Sequence, residues 1–283
     1  IRVVKETFSR EFEFKEFLRQ CYQIGFKTLP LISITGTIMG LVLTIQSRPV
    51  LLKFGAETML PSMVALSIIR EMGPVITALI CAGKISSGIG AELGSMKVTE
   101  QIDALVTLST NPLKYLAVPR VVAATLAMPV LVATGDAIGI MGGWLVGITR
   151  LDFNSAAYLK NTVDFLEAWD VGSGLVKGAV FGFIATMIGC YHGMASGRGA
   201  MGVGGATKTA VAAASILMGG VLIVLTLLQS LWLTPVILQA ETYEGSEPAA
   251  EEASGHKRKA PDVMATANRT QFSMKKLTET PFE

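Results

Sequence analysis

The sequence predicts an all-α membrane protein: an N-terminal interfacial helix, five transmembrane helices and a disordered C-terminal tail. Three observations carry that prediction. The 283 residues are 51% hydrophobic and only 16% charged, where an ordinary soluble domain has about 25% charged residues. Five apolar runs reach the roughly 18 residues or more needed to cross about 30 Å of hydrocarbon. The chain also has 29 glycines, several at four-residue spacing, and small residues let membrane helices approach closely.

Residues 1–27 set Phe8, Phe12, Phe14, Phe17, Leu18 and Tyr22 among arginines and lysines at roughly helical spacing. That pattern is an amphipathic helix lying on the membrane surface, its basic side toward anionic headgroups. It does not read as a cleavable signal peptide. A five-span domain follows over residues 28–240. Its spans lie at about 28–46, 61–83, 119–147, 172–193 and 206–238. Lys and Arg concentrate before the first span, between the second and third, and between the fourth and fifth. The positive-inside rule therefore places the N-terminus in the cytoplasm. Residues 241–283 have too little apolar content to fold alone and are expected to be a disordered tail. On a five-span chain, Lys257-Arg258-Lys259 belongs to that tail and not to a nucleic-acid site, and the net charge of +2 gives no further case for one.

The second span contains Ser67-Ile68-Ile69-Arg70-Glu71-Met72-Gly73-Pro74-Val75-Ile76-Thr77. Charges at membrane depth cost roughly 2.5–3.5 kcal/mol each, so this pair needs a use. On a regular helix, Ser67, Arg70, Glu71, Pro74, Ala78 and Cys81 share one face, while Ile68, Ile69, Met72, Ile76 and Leu79 lie on the others. Pro74 has no N–H, so the Arg70 carbonyl is expected to lose its helical partner and the helix to bend. Arg70 and Glu71 stand about 100° apart around the axis, so each needs a partner elsewhere. Asp136 in the third span is a candidate for Arg70. Two uses stay open: a polar anchor for a ligand headgroup or a gate, and an inter-helix ion pair that only fixes packing.

The third span carries Gly135, Gly139, Gly143 and Gly147, and the fourth carries Gly174, Gly178 and Gly182. Both are small-residue ridges for close helix packing. Between the second and third spans, residues 90–105 have helical periodicity, with Ile89, Leu93, Met96, Glu100 and Asp103 on one side. On one continuous helix Glu92 and Asp103 come within about 20° of each other. Acids and apolar knobs there suit docking to a soluble partner; the alternative is a solvated turn. The glycine-rich stretch 193–207 lacks the Gly-x-x-x-x-Gly-Lys-Ser/Thr phosphate loop. Cys21, Cys81, Cys190 and the two histidines have no metal-ligand spacing. With no nucleophile–base set either, the expectation is a chain without catalytic residues, metal or cofactor of its own.

Four motifs in order carry a resemblance. They are Val64-Ala-Leu-Ser-Ile-Ile-Arg-Glu-Met-Gly-Pro-Val75, Ala91-Glu-Leu-Gly-Ser-Met-Lys-Val-Thr-Glu-Gln-Ile-Asp-Ala-Leu105, Asn111-Pro-Leu-Lys-Tyr-Leu-Ala-Val-Pro-Arg120 and Gly202-Val-Gly-Gly-Ala-Thr207. Over roughly residues 28–235 the chain resembles the MlaE-like permease family, the membrane subunits of Mla/Mce-type phospholipid ABC transporters. The resemblance implies an inner-membrane permease working as a homodimer. It also implies ABC-type ATPase subunits that hold ATP and Mg, an MCE-domain lipid-shuttling protein on the outer side, and phospholipid between the two copies. Carried onto this chain, it puts Arg70 and Glu71 near the lipid path, Leu43, Leu51 and Phe54 around the tail pocket, and Asp170 and Lys177 as charges near the cavity. It makes residues 90–105 the coupling helix, with Glu92, Lys97, Glu100, Gln101 and Asp103 toward the ATPase. Two features depart from the family pattern: Leu222 stands where an acidic residue is expected, and the 241–283 extension has no counterpart.

The implied function is transport of glycerophospholipid between an inner membrane and an MCE-domain periplasmic partner, maintaining outer-membrane lipid asymmetry or lipid supply. The rival is a secondary carrier or channel using Arg70, Glu71 and Asp136 as an ion or proton site. An intramembrane enzyme ranks last, for want of a nucleophile and base.

Overall fold

A computed structural model describes residues 14–197 and 199–254, with side chains as far as Leu231. Among the described residues every regular element is helical. Helix α1 (Phe14–Ile24) leads through a single tight turn, Phe26–Thr28, into α2 (Leu29–Lys53). The second span is assembled from α3 (Leu60–Ser67), α4 (Gly73–Cys81) and α5 (Ser87–Val98), joined by two wide, π-helical turns at Ile68–Met72 and Ala82–Ser86. Short α6 (Gln101–Thr107) follows, then a third wide turn, Leu113–Ala117, and the long α7 (Val118–Leu151). Helices α8 (Ser155–Asp164), α9 (Ala168–Met194) and α10 (Gly199–Ser254) complete the described chain.

Five stretches are long and apolar enough to cross a membrane: Phe14–Lys53, Glu57–Val98, Leu113–Leu151, Ala168–Met194 and Gly199–Leu231. Of the expected interfacial segment, residues 1–13 lie outside the described residues. Its remainder, α1, buries Gln20 and Ile24 and leaves Phe14, Leu18 and Tyr22 exposed in a stripe that Phe26 extends. The stripe repeats every four residues, so it is one face of the helix. Of the expected tail, the α10 backbone remains helical to Ser254, and residues 255–283 lie outside the described residues.

Close packing is built on glycine, within residues up to Leu222. Helix α2 crosses α7 so tightly that a Cβ on Gly40 would overlap the Gly139 carbonyl, and one on Gly36 would stand 2.8 Å from the Gly135 carbonyl. On the other side of α7, a Cβ on Gly182 would come 2.6 Å from the Ala124 carbonyl, and Gly178 faces Val132. The two glycine ridges expected from sequence are therefore the surfaces that let α2, α7 and α9 pack together. Ile32, Ala78, Cys81, Leu93, Met128, Leu131 and Phe181 are buried in the main core. Beyond Leu222, α10 is a helix with Ile223, Val224, Leu227, Leu228 and Leu231 exposed.

Two sequence expectations need correction. The second span is not one regular helix, so its faces differ from those expected: Ile68 and Ile69 are buried, while Ser67 is exposed and bonds back to the Met63 carbonyl at 2.7 Å. A π-helical turn inserts one residue into the repeat, which rotates everything after it by about 100°. The 90–105 segment is likewise not one helix. Helix α5 ends at Val98, and Glu100 adopts a left-handed backbone (φ 58°) before α6 begins. Glu92 and Asp103 therefore do not share a helix face.

Candidate functional site

The wide turn Ile68–Met72 places Arg70 and Glu71 opposite the start of α9. Helix α9 begins with a reciprocal cap, in which Glu167 and Asp170 exchange side-chain and backbone bonds; such a cap satisfies the otherwise unbonded first N–H groups. That cap fixes Asp170, which is completely buried. Its Oδ1 accepts from Arg70 Nε at 2.5 Å, while Oδ2 faces the Glu167 N–H at 3.4 Å. Two turns along α9, Lys177 reaches the same segment. Its Nζ lies 3.0 Å from Glu71 Oε1 and donates to the Arg70 carbonyl at 2.7 Å. The carbonyl that Pro74 was expected to leave without a helical partner is thus held by a lysine from another span. Helix α9 can come this close because Gly174 faces the Ile69 carbonyl and Pro74.

Two cations and two anions balance in this cluster. Asp170 and Lys177 are the buried members, at 0% and 3% side-chain exposure; Arg70 and Glu71 are half-buried, at 31% and 36%. Charge-assisted bonds of this length are strong in a low-dielectric interior. Arg70 meets Asp170 through Nε.

Asp136 does not join them. Its carboxylate lies against the Cα of Gly73, so closely that any Cβ there would overlap Oδ1, and Oδ1 has no partner among the described residues. Gly73, Thr77, Ile76 and Gly135 line a narrow cleft with Ile32, Thr35, Gly36 and Met39. Of the tail-pocket candidates, Leu51 is buried and Leu43 half-buried, both packed with Met39, Leu60, Val64, Ile68 and Tyr158. Phe54 ends α2 and is 80% exposed. Leu43 and Leu51 gather with Ile68, two residues before Arg70.

The docking candidates separate into two groups. Glu100, Gln101 and Asp103 are exposed on and just before α6. Glu92 and Lys97 bond within the bundle: Glu92 to Arg120 at 3.1 Å, and Lys97 to the Met194 carbonyl at 2.7 Å. Sequence reasoning counted Arg120 among the flanking charges and missed this pair. Its signal was an arginine two residues inside a proline-started apolar helix. Leu222, the departure from the family pattern, is a half-buried apolar contact of the main core. Among the described residues there is no cluster of His, Cys, Asp and Glu able to hold a metal.

An all-helical bundle with five membrane-crossing stretches and charges paired between them defines an integral membrane protein. The family profile described as permease MlaE matches residues 17–228. The chain belongs to that family and is an ABC transporter permease subunit, not itself catalytic; such subunits work with ATPase partners. A probable ABC transporter permease of Rickettsia typhi is 54% identical over 201 residues, covering 71% of this chain and 78% of the relative. The intermembrane phospholipid transport system permease protein MlaE of Haemophilus influenzae is 36% identical over 216 residues, covering 75% and 82%. The chloroplastic protein trigalactosyldiacylglycerol 1 of Arabidopsis thaliana is 33% identical over 210 residues, covering 74% and 60%.

Proposed function

We propose that this permease moves glycerophospholipids between a bacterial inner membrane and an MCE-domain protein in the periplasm, driven by ATP hydrolysis on separate subunits. Two copies form the transporter, with phospholipid passing between them, and the N-terminus lies in the cytoplasm. Transport of this kind supplies lipid to the outer membrane or maintains its asymmetry.

The observation that carries this reading is the half-exposed Arg70–Glu71 pair, held by buried Asp170 and Lys177 in an otherwise apolar bundle. A half-exposed guanidinium recognises a phosphate well, because its planar fork matches the oxygens. The apolar group with Leu43, Leu51 and Ile68 suits acyl chains, and Phe54, three residues after Leu51, is exposed. Exposed Glu100, Gln101 and Asp103 form the surface for the ATPase. The name of the Haemophilus relative points to the same substrate class.

A second reading is a carrier or channel with an ion or proton site, favoured by the buried Oδ1 of Asp136, which has no partner among the described residues. Mass spectrometry of lipids and subunits purified gently from membranes separates the two. Co-purified phospholipid, an ATPase and an MCE-domain protein are expected. A chain recovered alone, whose flux follows a proton gradient and ignores ATP, overturns the lipid reading.

A further inference from the structure

Glu92, with a side chain 38% exposed, pairs with an arginine of the bundle. Oε1 lies 3.1 Å from Nη2 of Arg120, whose side chain is only 3% exposed. The other terminal nitrogen, Nη1, donates to the Leu116 carbonyl at 2.6 Å. Leu116 belongs to the wide turn Leu113–Ala117, from which α7 starts. One guanidinium thus joins α5 to the turn at the foot of the third span. One turn further along α5, Lys97 donates to the carbonyl of Met194, the last residue of α9. Backbones close the same gap: a Cβ on Gly193 would stand 2.8 Å from the Leu93 side chain and 3.2 Å from the Gly90 backbone. From Lys97 onward the chain is largely exposed, through the left-handed Glu100 and into α6.

We propose that Glu92, Arg120 and Lys97 are positioning residues of the transport cycle. They fasten α5 to the feet of the third and fourth spans, so that a movement imposed on α6 shifts those spans together and does not merely bend α5. This rests on the reading of α6 as the ATPase-docking element, and it removes Glu92 and Lys97 from the docking contact itself. The physical basis is the strength of charge-assisted bonds, anchored on the buried Arg120 guanidinium. A coupling carried by an element with two arrangements weakens when the link that moves it is cut.

The test uses the whole complex, with its ATPase and MCE-domain partner, reconstituted in phosphatidylethanolamine–phosphatidylglycerol vesicles carrying a fluorescent phospholipid. ATP hydrolysis and lipid transfer are measured side by side. Glu92→Arg or Arg120→Glu should leave the ATPase bound but lower lipid moved per ATP about tenfold, a usual size for coupling between sites. The exchange of both charges together should bring the ratio back to within about threefold of the parent. An unchanged ratio in the single variants, or no recovery in the exchanged pair, overturns the proposal. So does loss of the ATPase from the single variants, which makes Glu92 a docking contact after all. Should charge reversal prevent folding, Glu92→Gln keeps the shape and removes the charge: a lowered ratio supports the proposal and an unchanged one overturns it. Glu100→Lys with Asp103→Lys is the separate control. If that variant retains the ATPase, the docking reading of α6 fails, whatever Glu92 does.

Discussion

Lys177 and Glu71 meet at 3.0 Å across two spans, and the same ammonium holds the Arg70 carbonyl at 2.7 Å. The buried lysine therefore serves a side chain and a backbone break at once. Its neighbour Asp170 does the corresponding work for the Arg70 side chain. The two charges in the second span are held as well as presented, and substitutions can separate those roles.

Arg70→Ala alone should lose stability, because it leaves the fully buried Asp170 carboxylate without its cation. Breaking a buried pair costs about 3–5 kcal/mol, most of it for the stranded charge. Combining Arg70→Ala with Asp170→Asn removes both charges and should recover most of that loss. If Arg70 touches lipid, the recovered double variant still carries less phospholipid through purification. Thermal unfolding in detergent and lipid quantification on the same sample check this. A double variant that is stable and fully lipid-loaded leaves the pair with a packing role only.

Much of this arrangement was legible in the sequence. The need of Arg70 and Glu71 for partners elsewhere followed from their angle around a helix. The glycine ridges followed from spacing alone. Partner choice did not, because nothing local distinguishes Asp170 from Asp136 as the mate of Arg70; the register between spans decides it. The wide turns were also hidden. One inserted residue leaves composition unchanged but turns Ile68 and Ile69 inward, so any face drawn on a regular helix fails there. The break at Glu100 had no glycine or proline to announce it.

Pro74→Ala tests the Lys177 bond to the Arg70 carbonyl directly. The new N–H offers the Ile69 or Arg70 carbonyl a backbone partner and competes with Lys177 for the latter. The helix should gain local stability while the charge cluster loosens. Expected results are an unfolding midpoint equal to or above the parent's and a lower rate of lipid transfer. A variant with unchanged transfer shows that the Lys177 bond to the backbone has no part in the cycle.

Gly40→Ala should be among the most damaging single-methyl changes. Its Cβ would overlap the Gly139 carbonyl, which is backbone and cannot swing aside as a side chain does. Overpacking usually costs about 1–3 kcal/mol and more where nothing yields, so about 3 kcal/mol is expected here. Gly83→Ala, with open space around its Cβ, is the matched control and should leave the unfolding midpoint within a degree or so of the parent.

Glu100→Lys with Asp103→Lys should detach the ATPase without disturbing the bundle. Both residues are exposed beside the left-handed break, and neither bonds to another span among the described residues. Surface charge reversals away from such bonds usually change stability by about 0.5 kcal/mol or less. The same change at a charged interface slows association and costs affinity. Co-purification of the ATPase, read against an unaltered elution profile of the permease, measures the effect. Retained ATPase moves the docking surface off α6.

Asp136→Asn addresses a buried acid of the third span that stands outside the charge cluster. Oδ1 of Asp136 is buried without a partner among the described residues, pressed against Gly73 at the end of the wide turn. An unsatisfied buried polar atom costs about 1–3 kcal/mol, and more when it carries charge. The amide keeps the shape and can never ionise, so the variant should unfold at the same temperature as the parent or higher. Lipid transfer should persist, because Arg70, Glu71, Asp170 and Lys177 form their bonds without Asp136. Under the carrier reading the opposite holds: an amide cannot release a proton, and flux stops. Measuring transfer and unfolding for Asp136→Asn therefore decides whether this carboxylate only bears the strain of close packing beside Gly73 or works as an ion site.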